Sequence, residues 1–87
     1  MAKRDILKRI NEILIDILGK DDLQVDLNTT AADVEGWDSL KHINIIAAIE
    51  DEFSIRFKME EIVDMKDINS MINIIINRSG YWWLTII

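Results

Sequence analysis

The sequence predicts an all-α fold: a small four-helix bundle, three longer helices plus one short helix, with a long loop between helices 1 and 2. Three observations lead there. Apolar residues recur at steps of one, three and four between Arg4 and Leu18; the run from Leu40 to Phe53 contains neither Pro nor Gly; and a last apolar stretch, Ile68 to about Asn77, follows an Asp. Each is the pattern of a helix with one face turned away from water. Ser54-Ile55-Arg56-Phe57-Lys58 alternates in polarity, but no second strand is available to pair with it. It reads as a connector whose Ile55 and Phe57 point inward.

In the first helix Ile6, Leu7, Ile10, Ile13, Leu14, Ile17 and Leu18 draw a wide stripe, with Asp5, Lys8, Arg9, Glu12 and Asp16 on the other side. Gly19 supplies the left-handed position that closes a helix, and Lys20 sits near its negative end. This helix is structural. The connection from Lys20 to Trp37 is long for so small a domain unless it is functional or pinned to the core. Val25, Leu27, Val34 and Trp37 are spaced to act as pins, with Asp21, Asp22, Asp26, Asp33 and Glu35 between them. A calcium loop would need oxygen ligands at alternating positions, a central Gly and a closing Glu; no window supplies them, and no metal site is expected.

The second helix is expected from Ser39 to about Phe53, with Asp38 as its N-cap. Its apolar arc, Leu40, Ile43, Ile45, Ile46, Ala47, Ala48, Ile49 and Phe53, is wider than a core-facing helix needs. Two readings follow. Either the bundle encloses all of it, or part reaches the surface. In the second case Leu40, Ile43 and Ala47, at helical spacing from Ser39, are candidates for a partner-docking face. Met59 to Met65 forms a short acidic helix, Asp67 caps the last one, and Ser79-Gly80 reads as its stop. Residues 1–80 make the bundle. Residues 81–87, Tyr81 to Ile87, are an apolar tail that either folds back over the bundle or serves in docking or self-association; membrane contact lacks a cationic face, with only Arg78 nearby.

Eighty-seven residues leave room for one core, and 49% hydrophobic residues are ample to build it. Ten Lys+Arg against sixteen Asp+Glu give a net charge of −6. Nucleic-acid binding is excluded on that balance, since it needs a basic footprint, whereas partners with basic surfaces are favoured. Cysteine is absent, so disulfides and thiolate chemistry do not enter. Met1-Ala2-Lys3-Arg4 leads into an amphipathic pattern rather than a signal peptide, and no stretch reaches the roughly 20 apolar residues of a membrane span. The expectation is a cytoplasmic monomer.

The chemistry centres on Gly36-Trp37-Asp38-Ser39-Leu40. With Asp38 as the cap, Ser39 is the first helical residue, on an end where the helix dipole favours negative charge. A serine held there is exposed, fixed in direction and well placed to carry a phosphate. Alone, Asp-Ser before an apolar run is also an ordinary helix start. No enzyme is expected. The chain's one His, His42, lies about one turn on, but a Ser-His nucleophile needs converging side chains, an orienting carboxylate and an oxyanion hole. Gly-x-Ser-x-Gly is absent, and the chain has little room for a substrate pocket. His42 reads as a surface residue near Ser39. Glu50-Asp51-Glu52 and Glu60-Glu61 read as solvated faces, or as a recognition surface.

From Gly36 to Ile75 the order of features resembles the acyl carrier protein family. Asp38-Ser39-Leu40 begins an amphipathic helix ending in Glu50-Asp51-Glu52-Phe53; a short loop, the Glu60-Glu61 step and a last apolar helix follow at matching spacings. The first helix is similar more loosely. The resemblance implies that Ser39, flanked by Asp38 and Leu40, is modified by a phosphopantetheinyl transferase (holo-ACP synthase) and bears a 4′-phosphopantetheine arm through a phosphodiester. The arm's thiol would hold an acyl group as a thioester and present it to acyl-activating and acyl-transferring enzymes of fatty acid, lipid or polyketide-type synthesis. The resemblance also implies that Glu50, Asp51 and Glu52 meet basic docking patches on those partners. A carrier without cysteine is consistent with this, because the reactive sulfur belongs to the cofactor.

Two departures stand out. Trp37 precedes the motif where typical members have a small residue, and Lys41 and Asn44 stand where many have acids. Fewer negative charges beside the serine weaken recognition by general partners and point to a specialised carrier. The Ile-rich interior is either an ordinary core or a place for an aliphatic chain. An aminoacyl or peptidyl carrier using the same arm, and an unmodified acidic helical adaptor protein, are the alternatives.

Overall fold

A computed structural model describes residues 3–79. Gly80 and the tail at 81–87 lie outside the described residues, as do both readings of that tail. Helix α1 runs over Lys3–Leu18, α2 over Ser39–Phe53, α3 over Met59–Asp64 and α4 over Ile68–Ser79, and a 3-10 turn occupies Ala31–Asp33. The fold is all-helical, as predicted, with no strand among the described residues. One end differs from expectation, α3 stopping at Asp64 rather than Met65, while α4 runs to Ser79, at the Ser79-Gly80 stop and two residues past the expected Asn77. Both lie within the fraying range of a helix terminus.

The apolar spacing of α1 places Ile6, Ile10 and Leu14 on one ridge, all fully buried, with Leu7, Ile13, Ile17 and Leu18 packed half-buried beside them. That ridge meets Ile45 and Ile49 of α2 and Ile68, Met71, Ile72 and Ile75 of α4, which are likewise fully buried. Ile55 and Phe57 of the connector point inward as predicted. Gly19, at φ 68°, closes α1 and donates its N–H to the Ile15 carbonyl at 2.9 Å. Ser54 takes the same left-handed role after α2 at φ 55°; the next N–H, from Ile55, also returns to the Glu50 carbonyl, at 3.1 Å.

The long connection is pinned, and more firmly than its apolar residues alone would achieve. Val34 and Trp37 are buried, while Val25 and Leu27 rest half-buried against the core. Asn11 of α1 clamps the loop from the side: its Nδ2 donates to the Leu23 carbonyl at 3.1 Å and its Oδ1 accepts from Val25 N–H at 2.9 Å. At the far end the loop serves α4. A helix start leaves its first N–H groups without intrahelical partners. Here Ile68 and Asn69 donate to the carbonyls of Thr29 and Leu27 at 3.0 and 2.9 Å, and Ser70 N–H donates to Asp67 Oδ1 at 2.9 Å. Asp67 therefore caps α4 as expected. The acidic loop residues Asp26 and Asp33 are spent on local turns, accepting from Asn28 N–H at 2.8 Å and Thr30 N–H at 2.9 Å.

Candidate functional site

The chain reaches Ser39 through a sharp turn. Gly36 adopts φ 89°, a conformation that costs a residue with a Cβ, and Trp37 then drops into the core at 9% exposure. Asp38 is extended; its Oδ1 accepts from Lys41 N–H at 2.8 Å and its carbonyl accepts from His42 N–H at 2.8 Å. Ser39 opens α2, is exposed, and its hydroxyl has no hydrogen-bond partner among the described residues. The side chain is thus surrounded by committed groups and is itself uncommitted. Joining a phosphodiester to that oxygen would displace no packed side chain, so the residues present fit a covalently attached phosphate arm.

The wide apolar arc of α2 divides between core and surface. Ile45, Ile46, Ile49 and Phe53 face the core, whereas Leu40 is 69% and Ile43 63% exposed, with Ala47 also at the surface. On α3, Met59 is 71% and Val63 74% exposed. Single exposed apolar residues are ordinary. Here they lie on the two helices that the chain forms directly after Ser39.

The acidic residues expected to act together have separate fates. Glu50 is half-buried and its Oε2 accepts from Phe57 N–H at 2.8 Å, holding the connector. Glu52 pairs with Arg9 across the bundle, Oε1 to Nη2 at 2.6 Å, and Arg9 also reaches Glu12 at 2.6 Å. The hydrogen bond and charge of Glu52 hold the Arg9 guanidinium above its usual range. Asp51 remains exposed with no partner among the described residues. Beside these, Ala47, Glu50 and Asp51 line an open groove of about 700 Å³ with Ser54, Ile55, Arg56 and Arg78. Glu61, expected on a solvated face, is structural: it accepts from Lys58 N–H at 2.8 Å and pairs with Arg78 at 2.8 Å.

His42 departs from the surface position expected of it. It is half-buried, stacked on Trp37 with ring centroids 5.9 Å apart and planes at 30°, and its Nδ1 accepts from Trp37 Nε1–H at 3.1 Å. Burial lowers its pKa from 6.5. A signal for this contact was available. Trp37 precedes the cap and His42 is the fourth helical residue, the two positions that pack together as a hydrophobic staple. The space beside the pair, lined by Thr29, Ala31, Met65 and Met71 among others, measures about 30 Å³. That is room for about one water, not for an acyl chain.

A family described as the phosphopantetheine attachment site matches residues 8–75 of this chain. An acyl carrier protein of Petrotoga mobilis is 28% identical over 75 residues, covering 86% of this chain and 88% of its own length. An acyl carrier protein of Streptococcus pneumoniae is 33% identical over 67 residues, covering 77% of this chain and 86% of its own length. A non-reducing polyketide synthase of Emericella nidulans is 31% identical over 71 residues; that match covers 82% of this chain but spans only 3% of the synthase. Among solved structures, an acyl carrier protein of Thermotoga maritima superposes with a TM-score of 0.79 at 29% identity, covering 91% of this chain and 92% of that one. The likeness thus extends back through most of α1, well beyond the stretch from Gly36 to Ile75. The chain belongs to the acyl carrier protein family, whose cofactor is a covalently attached 4′-phosphopantetheine.

Proposed function

We propose that Ser39 is the attachment point of the arm and that the protein carries acyl groups between enzymes without catalysing a reaction itself. The observation that carries this reading is the Ser39 hydroxyl: exposed, unpartnered among the described residues, first in a 15-residue helix, and within the span that matches the attachment-site family. Asp38 fixes where α2 begins by holding Lys41 N–H, so the Ser39 backbone keeps its place as the first residue of the helix. Ser39 Oγ would attack the pantetheine-side phosphorus of coenzyme A, forming the phosphodiester as the pyrophosphate P–O bond breaks and adenosine 3′,5′-bisphosphate leaves, with the hydroxyl proton passing to the transferase. When bound, the cofactor supplies a thiol that holds an acyl group as a thioester.

Leu40, Ile43 and Ala47 form the docking face beside the serine, and Asp51 supplies the free negative charge for a basic patch on a phosphopantetheinyl transferase or an acyl-transferring enzyme. Glu50 and Glu52 add to the field of that surface while already bonded within the chain. Lys41 and Asn44 reduce the negative charge next to Ser39 and support a carrier for a dedicated set of partners. The relatives support acyl rather than aminoacyl cargo, and the cytoplasm, where coenzyme A is available as donor, is the compartment that suits this role.

Intact mass after incubation with coenzyme A and a phosphopantetheinyl transferase tests the reading. One phosphopantetheine should be gained by the wild-type chain and none by Ser39→Ala with unchanged helical content. Addition that persists in Ser39→Ala would move the site. No addition with several transferases would leave the adaptor reading in its place.

A further inference from the structure

Trp37 and His42 bracket Ser39 in sequence, one on the core side of the turn and the other in the first turns of α2. The chain passes from a buried residue to an exposed serine within two positions, and the ring contact spans that passage. An indole N–H can only donate. His42 Nδ1 must therefore be unprotonated to accept from it at 3.1 Å, and the uncharged ring carries its proton on Nε2. A proton placed on Nδ1 would turn donor against donor, and the hydrogen bond would be lost.

We propose that Trp37 and His42 are positioning residues for Ser39: a clasp whose hydrogen bond holds the turn that presents the serine hydroxyl, and which protonation of the imidazole opens. The positioning role rests on Ser39 being the attachment site; the clasp does not. Charged groups around the ring come from two places. Lys66 and Asp67 of the link between α3 and α4 line the same small cavity, and Asp38 and Lys41 belong to the start of α2. Asp67 is engaged by the N–H and hydroxyl of Ser70, both at 2.9 Å, and Asp38 by Lys41 N–H. Burial lowers the His42 pKa from 6.5, so the folded chain favours the neutral ring. The clasp is closed above the folded pKa and opens as pH falls through it.

The test uses the unmodified 87-residue chain and its ¹H–¹⁵N spectra, with the Trp37 indole resonance assigned by its loss in Trp37→Phe. In the wild type that resonance and the amides of Ser39 and Leu40 should move together on acidification. They should share the midpoint of the His42 ring signals, below 6.5. His42→Asn keeps a side-chain oxygen near the position of Nδ1 but cannot titrate, so the same signals should stay flat between about pH 5 and 8. His42→Phe keeps the stacked ring and loses the acceptor. At neutral pH it should lower kcat/KM for transfer of the arm about tenfold with helical content unchanged, while His42→Asn stays within about twofold of wild type. A Trp37 indole signal insensitive to pH in the wild type, or transfer by His42→Phe at the wild-type rate, would overturn the proposal. If the wild-type chain accepted no arm at Ser39, the attachment reading would fail and the positioning role with it; the spectra distinguish that outcome from a broken clasp.

Discussion

Asp38 and Asp67 do the same work at two helix starts, each taking the N–H of the residue three positions on. Replacing Asp38 by Ala removes that acceptor and should lower stability by about 1 kcal/mol, read as a shift in the urea midpoint. At Asp67 the dependence on pH is the sharper probe. The backbone N–H of Ser70, then its hydroxyl, hold the carboxyl below its usual value of 3.8. The ionised form is therefore favoured by folding, and its contribution is present above the unfolded pKa and lost as pH falls through the folded one. The expected outcome is that Asp67→Ala lowers the urea midpoint at about pH 6, and that its gap from the wild type narrows as pH falls below 3.8. Gly36, at φ 89°, has room for a methyl group: the nearest atom to an added Cβ would be Lys20 Cε, at 3.8 Å. Gly36→Ala should thus be destabilising through its backbone alone, by about 1 kcal/mol in the same assay.

Among the elements, α1 and the loop after it behave as one unit because Asn11 joins them. Its amide satisfies both the Leu23 carbonyl and the Val25 N–H in a half-buried setting. Truncation to Ala leaves those groups without partners, at about 1–3 kcal/mol for each that water does not reach. Amide hydrogen exchange at Val25 should accelerate more than at Ile10, separating local release of the loop from global unfolding. The core stripe of the same helix answers differently. Ile10 is fully buried, so Ile10→Ala should cost about 2–5 kcal/mol and weaken the protection of every helix it packs with. The helical pattern itself was legible in the residues, since periodicity and the absence of Pro leave few other solutions. The course of the loop was legible only in outline. Val25, Leu27, Val34 and Trp37 mark it as pinned, but nothing local to Asn11 shows that a side chain on α1 reads the backbone of residues 23 and 25.

For the whole molecule, a net charge of −6 steers partners with basic surfaces, yet the structure leaves the negative groups on α2 unequal. Asp51 has no partner among the described residues, whereas Glu52 shares Arg9 and Glu50 holds Phe57 N–H. Asp51→Lys should therefore slow association with a basic transferase severalfold with no loss of stability, an effect that shrinks as salt rises. Glu50→Gln should slow association less and likewise keep its stability, because its oxygen still accepts from Phe57 N–H while one charge is lost rather than two. Stopped-flow association at two salt concentrations separates them. The residues alone were enough for the four helices, the cap at Asp38 and the place of Ser39, because helix starts and apolar faces are written in neighbours a few positions apart. Folding settled what depends on distant partners: that Leu40 and Ile43 stay bare while Ile45 and Ile49 are covered, and that Glu61 belongs to Arg78 and Glu52 to Arg9. Such choices turn on which surfaces meet when the helices pack, and contacts spanning tens of residues leave no periodic trace in the chain.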